Sequence, residues 1–298
     1  MKKPDLVTLL KGRKIILAPG AYDAFSARLI ARQGFPAVYL TGSGVTASLL
    51  GRPDLGFVAL PDMCGVVRNI CQTIDIPLIA DAESGFGNAV NLTRTVREYE
   101  MAGASAIHLE DQIVPKRFGG EKTPQVVPME EHASKIRLAV KSRTHDSFLI
   151  IGRTDCIGRY GLDEAVRRGN AYGEAGADIV FVHGMSTVEE LREVGRSVHG
   201  PKLINYTALT LSDMDNLPTM EDLGVWGYAL VIFAIEPLFA AAKGLSDMLK
   251  LLATGDPTAA LRQEMIALDD FNQMLDTGKF QELEDLHLPR RGDSTEKE

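Results

Sequence analysis

Three stretches of this chain, residues 29–40, 99–110 and 172–183, repeat one design: a helix-type pattern, a glycine, then a short apolar run. Gly34, Gly103 and Gly176 suit the left-handed position that ends a helix. The runs that follow are rich in β-branched residues, as expected of strands buried on both faces. A looser fourth copy leads through Gly224 into 229–233, and further strand-type runs fall at 15–18, 78–80, 148–152 and 202–204. Apolar runs that alternate with helical patterns imply parallel βαβ units. Eight of them favour a closed (β/α)8 TIM barrel over an open, doubly wound sheet. At 298 residues the chain has room for such a barrel and more. The spacing places the barrel in 1–256, additional helices in 257–289 outside the eighth unit, and a disordered polar tail in 290–298.

Other classes fall away on composition. The net charge is −8 and no basic stripe stands out, so a nucleic-acid partner is not expected. The most apolar stretch, 228–242, is broken by Glu236 and Pro237 and is too short for a membrane span. Three cysteines, Cys64, Cys71 and Cys156, are too few for a disulfide framework. With no apolar leader after Met1, a cytoplasmic protein is expected.

In such a barrel, chemistry collects where strands end. The residues after successive runs are Thr41-Gly42-Ser43-Gly44, Asp81-Ala82-Glu83, Glu110-Asp111-Gln112, Arg153-Thr154-Asp155, His183-Gly184 and Asn205-Tyr206-Thr207. Nearly all are polar or ionisable. Asp81, Glu83 and Glu110 on neighbouring strands would raise one another's pKa, and a divalent cation relieves that repulsion. Oxygen ligands without a nearby Cys/His pair favour Mg²⁺ or Mn²⁺ over Zn²⁺. One carboxylate can instead pair with Arg153 or a lysine. Arg153 has the shape to clamp a substrate carboxylate. The backbone around Ser43 can cradle an anionic oxygen, or simply make a tight turn. Residues 113–128 carry Pro115, Gly119, Gly120, Pro124 and Pro128 around Lys116 and Arg117, the composition of a lid that brings cations to an anionic substrate.

These motifs together resemble the isocitrate lyase/phosphoenolpyruvate mutase superfamily, in its methylisocitrate lyase-like branch. The resemblance is carried by 39–45, 51–56, Asp81-Ala82-Glu83-Ser84-Gly85-Phe86-Gly87, 108–112, Lys116-Arg117 and Gly152-Arg153-Thr154-Asp155. It implies Mg²⁺ held by Asp81, with Glu83 and Glu110 binding directly or through water and Asp54 nearby. It implies substrate oxygens bound by Ser43 and its neighbours, with Tyr39, Gly44 and Asn205 in the substrate set. Arg153 would hold a substrate carboxylate and act in catalysis with His183, Lys116 and Arg117. It also implies a dimer or tetramer in which the C-terminal helices of 257–289 pack on the barrel or swap to a neighbouring subunit.

Three positions depart from the lyase pattern. Where lyases carry Lys-Lys/Arg-Cys-Gly-His, with the cysteine as the expected proton donor, this chain reads Lys116-Arg117-Phe118-Gly119-Gly120. His183 stands where the lyases have Glu, and Glu83 replaces the usual Asp. Loss of a positioned acid removes a contribution of about 10²–10⁴-fold. The reading that survives is a metal-dependent carbon–carbon lyase on a small 2-oxo or 2-hydroxy carboxylate, decarboxylating an oxaloacetate-type substrate. Methylisocitrate- or dimethylmalate-type aldol cleavage, P–C chemistry on a phosphonopyruvate-like substrate, and a non-enzymatic metabolite-binding barrel stand as alternatives. His183 either handles a proton or merely packs at its strand end.

Overall fold

A computed structural model describes residues 5–12, 14–116, 124–207, 217–255, 258 and 265–288. Arg117, Phe118, Gly119 and Gly120 of the lid motif and the tail 290–298 lie outside the described residues. The eight strands are β1 (Ile16–Ala21), β2 (Val38–Leu40), β3 (Leu78–Asp81), β4 (Ala106–Glu110), β5 (Leu149–Thr154), β6 (Ile179–Val182), β7 (Lys202–Asn205) and β8 (Tyr228–Phe233). They are parallel and close in sequence order, β8 pairing with β1, so the fold is a (β/α)8 barrel.

The helices are α1 (Leu6–Lys11), α2 (Ala24–Arg32), α3 (Gly42–Leu50), α4 (Leu60–Cys71), α5 (Ala89–Ala102), α6 (Met129–Ser142), α7 (Ile157–Glu174), α8 (Val188–Ser197), α9 (Met220–Val225), α10 (Glu236–Ala253), α11 (Leu268–Met274) and α12 (Thr277–His287). The repeating glycine does its work after α5, where Gly103 caps the helix at φ +102°. A Cβ there would also press on Cys71 at 3.0 Å. The chain forms two compact units, residues 1–241 and 242–298. In the second, Leu245, Leu249, Phe280 and Leu286 are exposed.

Strand periodicity sorts the side chains. Ile79, Ala106, Ile151, Phe181, Leu203, Leu230 and Ile232 fill the barrel interior. Their neighbours Ala80, Ile107 and Ile150 pack outward with α4, α5 and α6 residues. The same alternation carries Asp81, Glu110, Arg153, His183 and Asn205 to the inner face at the C-terminal rim. Two expectations shift here. Asp81, Glu110, Arg153 and Asn205 are not loop residues but end or nearly end their strands, because ladder hydrogen bonding continues to the rim. Gly42-Ser43-Gly44 is not a tight turn but the first turn of α3, capped by Thr41.

On the outer side, Asp111 ties the rim together. Its buried carboxylate accepts from Thr154 Oγ1 at 2.7 Å, Asp155 N at 2.9 Å, Tyr172 Oη at 2.8 Å and Arg168 Nη1 at 3.0 Å. Removing one partner of a buried ion pair strands the other charge, a cost of about 3–5 kcal/mol. Asp111→Ala is therefore expected to lose stability of that order in urea unfolding, with the slope unchanged.

Candidate active site

The acids sit where β3 and β4 end. Asp81 and His108 are register partners, as are Glu110 and Arg153. Asp81, Glu83 and Glu110 are all buried. Cross-strand backbone bonds fix this corner: Glu110 N donates to Glu83 O at 2.9 Å and Ala82 N to His108 O at 3.1 Å. Tyr99 Oη donates to Asp81 O at 2.7 Å. Glu83 adopts φ +52°, a left-handed conformation that costs a non-glycine residue about 1–3 kcal/mol. Its N–H donates to Asp81 Oδ1 at 2.8 Å, which helps hold it there.

Gly42 approaches from β2. Its N–H donates to Asp81 Oδ2 at 3.2 Å. A Cβ at this position would lie 2.6 Å from Asp81 Oδ2 and 2.7 Å from Glu83 Oε1. Close approach of the α3 N-terminus to two carboxylates thus requires glycine. Ser43 Oγ is 3.0 Å from Thr41 Oγ1, and Gly44 N donates to that same Thr41 oxygen at 3.3 Å. A Cβ on Gly44 would meet Thr41 Cγ2 at 2.5 Å, so this glycine serves close packing.

Two cations answer the acids. Lys116 Nζ lies 2.6 Å from Glu83 Oε2, 3.2 Å from Glu110 Oε1 and 3.2 Å from Asp54 Oδ1. Arg153 donates through Nε and Nη2 to Asp155 at 2.9 and 2.7 Å, and its Nη1 is 3.3 Å from Glu110 Oε2. Its guanidinium also stacks over Phe181 at 5.2 Å. Asp155 accepts from the other side as well, 2.9 Å from His183 Nδ1. Arg153, Asp155 and His183 therefore form one chain of contacts. Asn205 lies beside His183 and Phe181 at the end of β7, its Oδ1 accepting from Ala234 N at 3.4 Å.

Below the acids lies a polar pair: Tyr39, expected in the substrate set, is bonded through Oη to His108 Nε2 at 2.8 Å, and Nε2 is 3.6 Å from Asp81 Oδ1. Asp155 and His108 were both missed as site residues. Their inward parity along β4 and β5 was the available signal.

Burial first, then the neighbouring Asp81 charge, pushes the Glu83 carboxyl up to about 8. Burial also raises Glu110, to about 7, against the pull of Arg153 and Lys116. Burial acts on Asp81 too, but His108, Lys116 and Arg153 outweigh it and hold that carboxyl below its ordinary value. Burial pushes His108 down to about 4, so it is neutral near pH 7. Asp155 is held far below the usual carboxylate range, Arg153 being the main opponent of its burial.

Among the described residues, no three His, Cys, Asp or Glu side chains are gathered closely enough to hold a metal ion as they stand. The donor set nevertheless suits a hard divalent cation. Glu83 Oε1 and both Glu110 oxygens are buried without a hydrogen-bond partner. The acids are spread around the Lys116 ammonium.

The family described as phosphoenolpyruvate phosphomutase matches residues 6–253. The chain belongs to this family. Within it, the chain is similar to 2,3-dimethylmalate lyase of Eubacterium barkeri, 39% identical over 278 residues, 93% of this chain and 94% of the relative. It is 32% identical to oxaloacetate decarboxylase of Bradyrhizobium diazoefficiens over 262 residues, 88% of each. Among solved structures, oxaloacetate acetylhydrolase in complex with the inhibitor 3,3-difluorooxalacetate is 30% identical, with TM-score 0.86 over 95% of this chain and 96% of that one. Phosphonopyruvate hydrolase in complex with oxalate and Mg²⁺ is 28% identical, with TM-score 0.83 over 95% and 98%. This member of the phosphomutase family is an enzyme of the lyase type. The non-enzymatic alternative is thereby set aside.

Two outcomes are expected at this site. Displacing a reacting group by about 1 Å can cost about 10²-fold, so Gly42→Ala is expected to lower turnover by at least that factor in a steady-state assay. The second concerns pH. Free glutamate titrates near about 4.3, so between that value and the raised values of about 8 and 7 the native protein holds more protons than the unfolded chain. Stability is then fully present below the unfolded value and lost as pH rises through the folded values. In EDTA, Tm measured by calorimetry is expected to fall from pH 5 to pH 8, and Glu83→Gln to flatten that fall.

Proposed function

We propose that this enzyme is a Mg²⁺- or Mn²⁺-dependent carbon–carbon lyase that decarboxylates a small 2-oxo dicarboxylate of the oxaloacetate type through an enolate. The carrying observation is the placement of its thiols. Cys64 and Cys71 lie on α4, and Cys156 at the start of α7 is fully buried. Burial pushes each thiol up to about 11. The lid position that bears cysteine in the lyases is Phe118. An aldol lyase needs that acid in place to protonate its leaving enolate, whereas a decarboxylase tolerates a weaker donor.

The chain's own groups then divide the work. Arg153, held rigid by its two bonds to Asp155, retains N–H donors for a substrate carboxylate. Ser43 at the start of α3 presents a hydroxyl and the helix N-terminus to a substrate oxygen. His183 gives Nδ1 to Asp155, which leaves Nε2 as its remaining nitrogen on a side chain about 32% exposed. That arrangement suits His183 to deliver a proton to the enolate carbon. Asp81, Glu83 and Glu110 would hold the cation, and Asp54 would flank it. The cation, when bound, would stabilise negative charge growing on the substrate's oxygens. The similarity to an oxaloacetate decarboxylase and to an Mg²⁺-bearing hydrolase supports this reading.

A second reading, cleavage of a 2,3-dimethylmalate-type substrate, is favoured by the 39% identity to that lyase. We also propose a homo-oligomer, dimer or tetramer, supported by the exposed apolar residues of the second unit, and a cytoplasmic location, supported by three free cysteines. Among the described residues no helix is long and apolar enough to cross a membrane.

Pyruvate release from oxaloacetate, with Mg²⁺ and with EDTA, tests the proposal beside parallel incubations with 2,3-dimethylmalate, 2-methylisocitrate and phosphonopyruvate. Metal-dependent release from oxaloacetate, lost in Asp81→Ala and reduced by about 10²-fold or more in His183→Ala, is the expected result. Preferred turnover of either lyase substrate would overturn it in favour of aldol cleavage, and phosphate from phosphonopyruvate in favour of P–C chemistry.

A further inference from the structure

The ammonium of Lys116 occupies the middle of the acid cluster. Besides its contacts with Glu83 and Glu110, Nζ donates to both Asp54 oxygens, at 3.2 and 3.3 Å. Its side chain is 10% exposed, close to that of Glu83 at 8%, with Glu110 at 0%. An ammonium has three donors; here Nζ is hydrogen-bonded to Asp54 and lies within ion-pair distance of Glu83 and Glu110 as well. Among the described residues, no three acid side chains form a metal site as they stand. One explanation covers both observations: the acids are arranged around the lysine.

A divalent cation taken up by these acids would need the Glu83 and Glu110 oxygens that Nζ now contacts. Two cations sharing the same buried oxygens repel strongly, since little water screens them. Lysine, on a long flexible stem, is the partner that can leave. We infer that Lys116 is the internal counter-cation of the metal-free enzyme, and that a divalent metal binds in competition with its ammonium, which withdraws from Glu83 and Glu110 as the metal enters. This inference rests on the metal-dependent reading above. It gives Lys116 a role before any substrate arrives. It keeps the buried Glu83 and Glu110 from repelling one another in the absence of metal, at the cost of weaker metal binding.

The test uses the full-length protein and MgCl₂ alone. Mg²⁺ affinity is measured by titration calorimetry for the wild type and Lys116→Met. Removal of an internal competitor is expected to tighten binding by about 10-fold, within the range of ordinary site–site coupling, and Lys116→Arg is expected to restore weak binding. Equal or weaker binding by Lys116→Met overturns the inference. A second measurement needs no variant: amine acetylation at Lys116, followed by mass spectrometry, with and without saturating Mg²⁺. Labelling should be slow without metal and rise at least about 10-fold with it, as the amine leaves its carboxylates. Unchanged or slower labelling while calorimetry shows Mg²⁺ bound overturns the competition and leaves the metal reading standing. Absence of Mg²⁺ binding by both wild type and Lys116→Met overturns the metal reading and this inference with it.

Discussion

A carboxylate does not stay ionised inside a protein without a cation beside it, and the mouth of this barrel is organised around that constraint. Asp81, Glu83, Glu110 and Asp155 are all buried there. Arg153 answers Asp155 and one side of Glu110, while Lys116 answers Glu83, Asp54 and the other side of Glu110. Close to Arg153, the Asp155 carboxyl stays ionised. At Glu83, burial and the neighbouring Asp81 charge outweigh the close Lys116 and push the carboxyl up to about 8, so that it holds a proton near pH 7. Those protons, and the lysine itself, are what a divalent ion would replace.

The surrounding structure serves this arrangement. Asp111, on the outer face, fixes the ends of β4 and β5 through Thr154 and the Asp155 amide, so Asp155 stands where it can orient both Arg153 and His183. Tyr39 and His108 form a polar layer beneath Asp81. Phe181 walls the interior and carries the Arg153 guanidinium. Removing water around such groups strengthens each interaction among them. The same rim therefore makes a costly arrangement of buried charge.

Much of this was legible in the chain. The helix–glycine–strand module, repeated along the sequence, implied parallel βαβ units, and eight apolar runs favoured closure. The positions of Asp81, Glu110, Arg153, His183 and Asn205 at the ends of apolar runs placed them at one rim. Family resemblance on the same residues agreed with the match across 6–253. Less legible was Gly42-Ser43-Gly44, which reads locally as a turn but begins a helix, because only contact with Asp81 and Glu83 shows why its first residue lacks a side chain.

The sequence by itself determined the barrel and the chemical types at its mouth, because these follow from local periodicity and burial. Tertiary structure alone decided which charges meet. Lys116 is 33 residues from Glu83 by sequence number, yet its ammonium rests 2.6 Å from that carboxylate. Asp155 is shared by Arg153 and His183 across two strands. Pairing of this kind depends on distance and local screening in three dimensions, and no pattern along the chain encodes either.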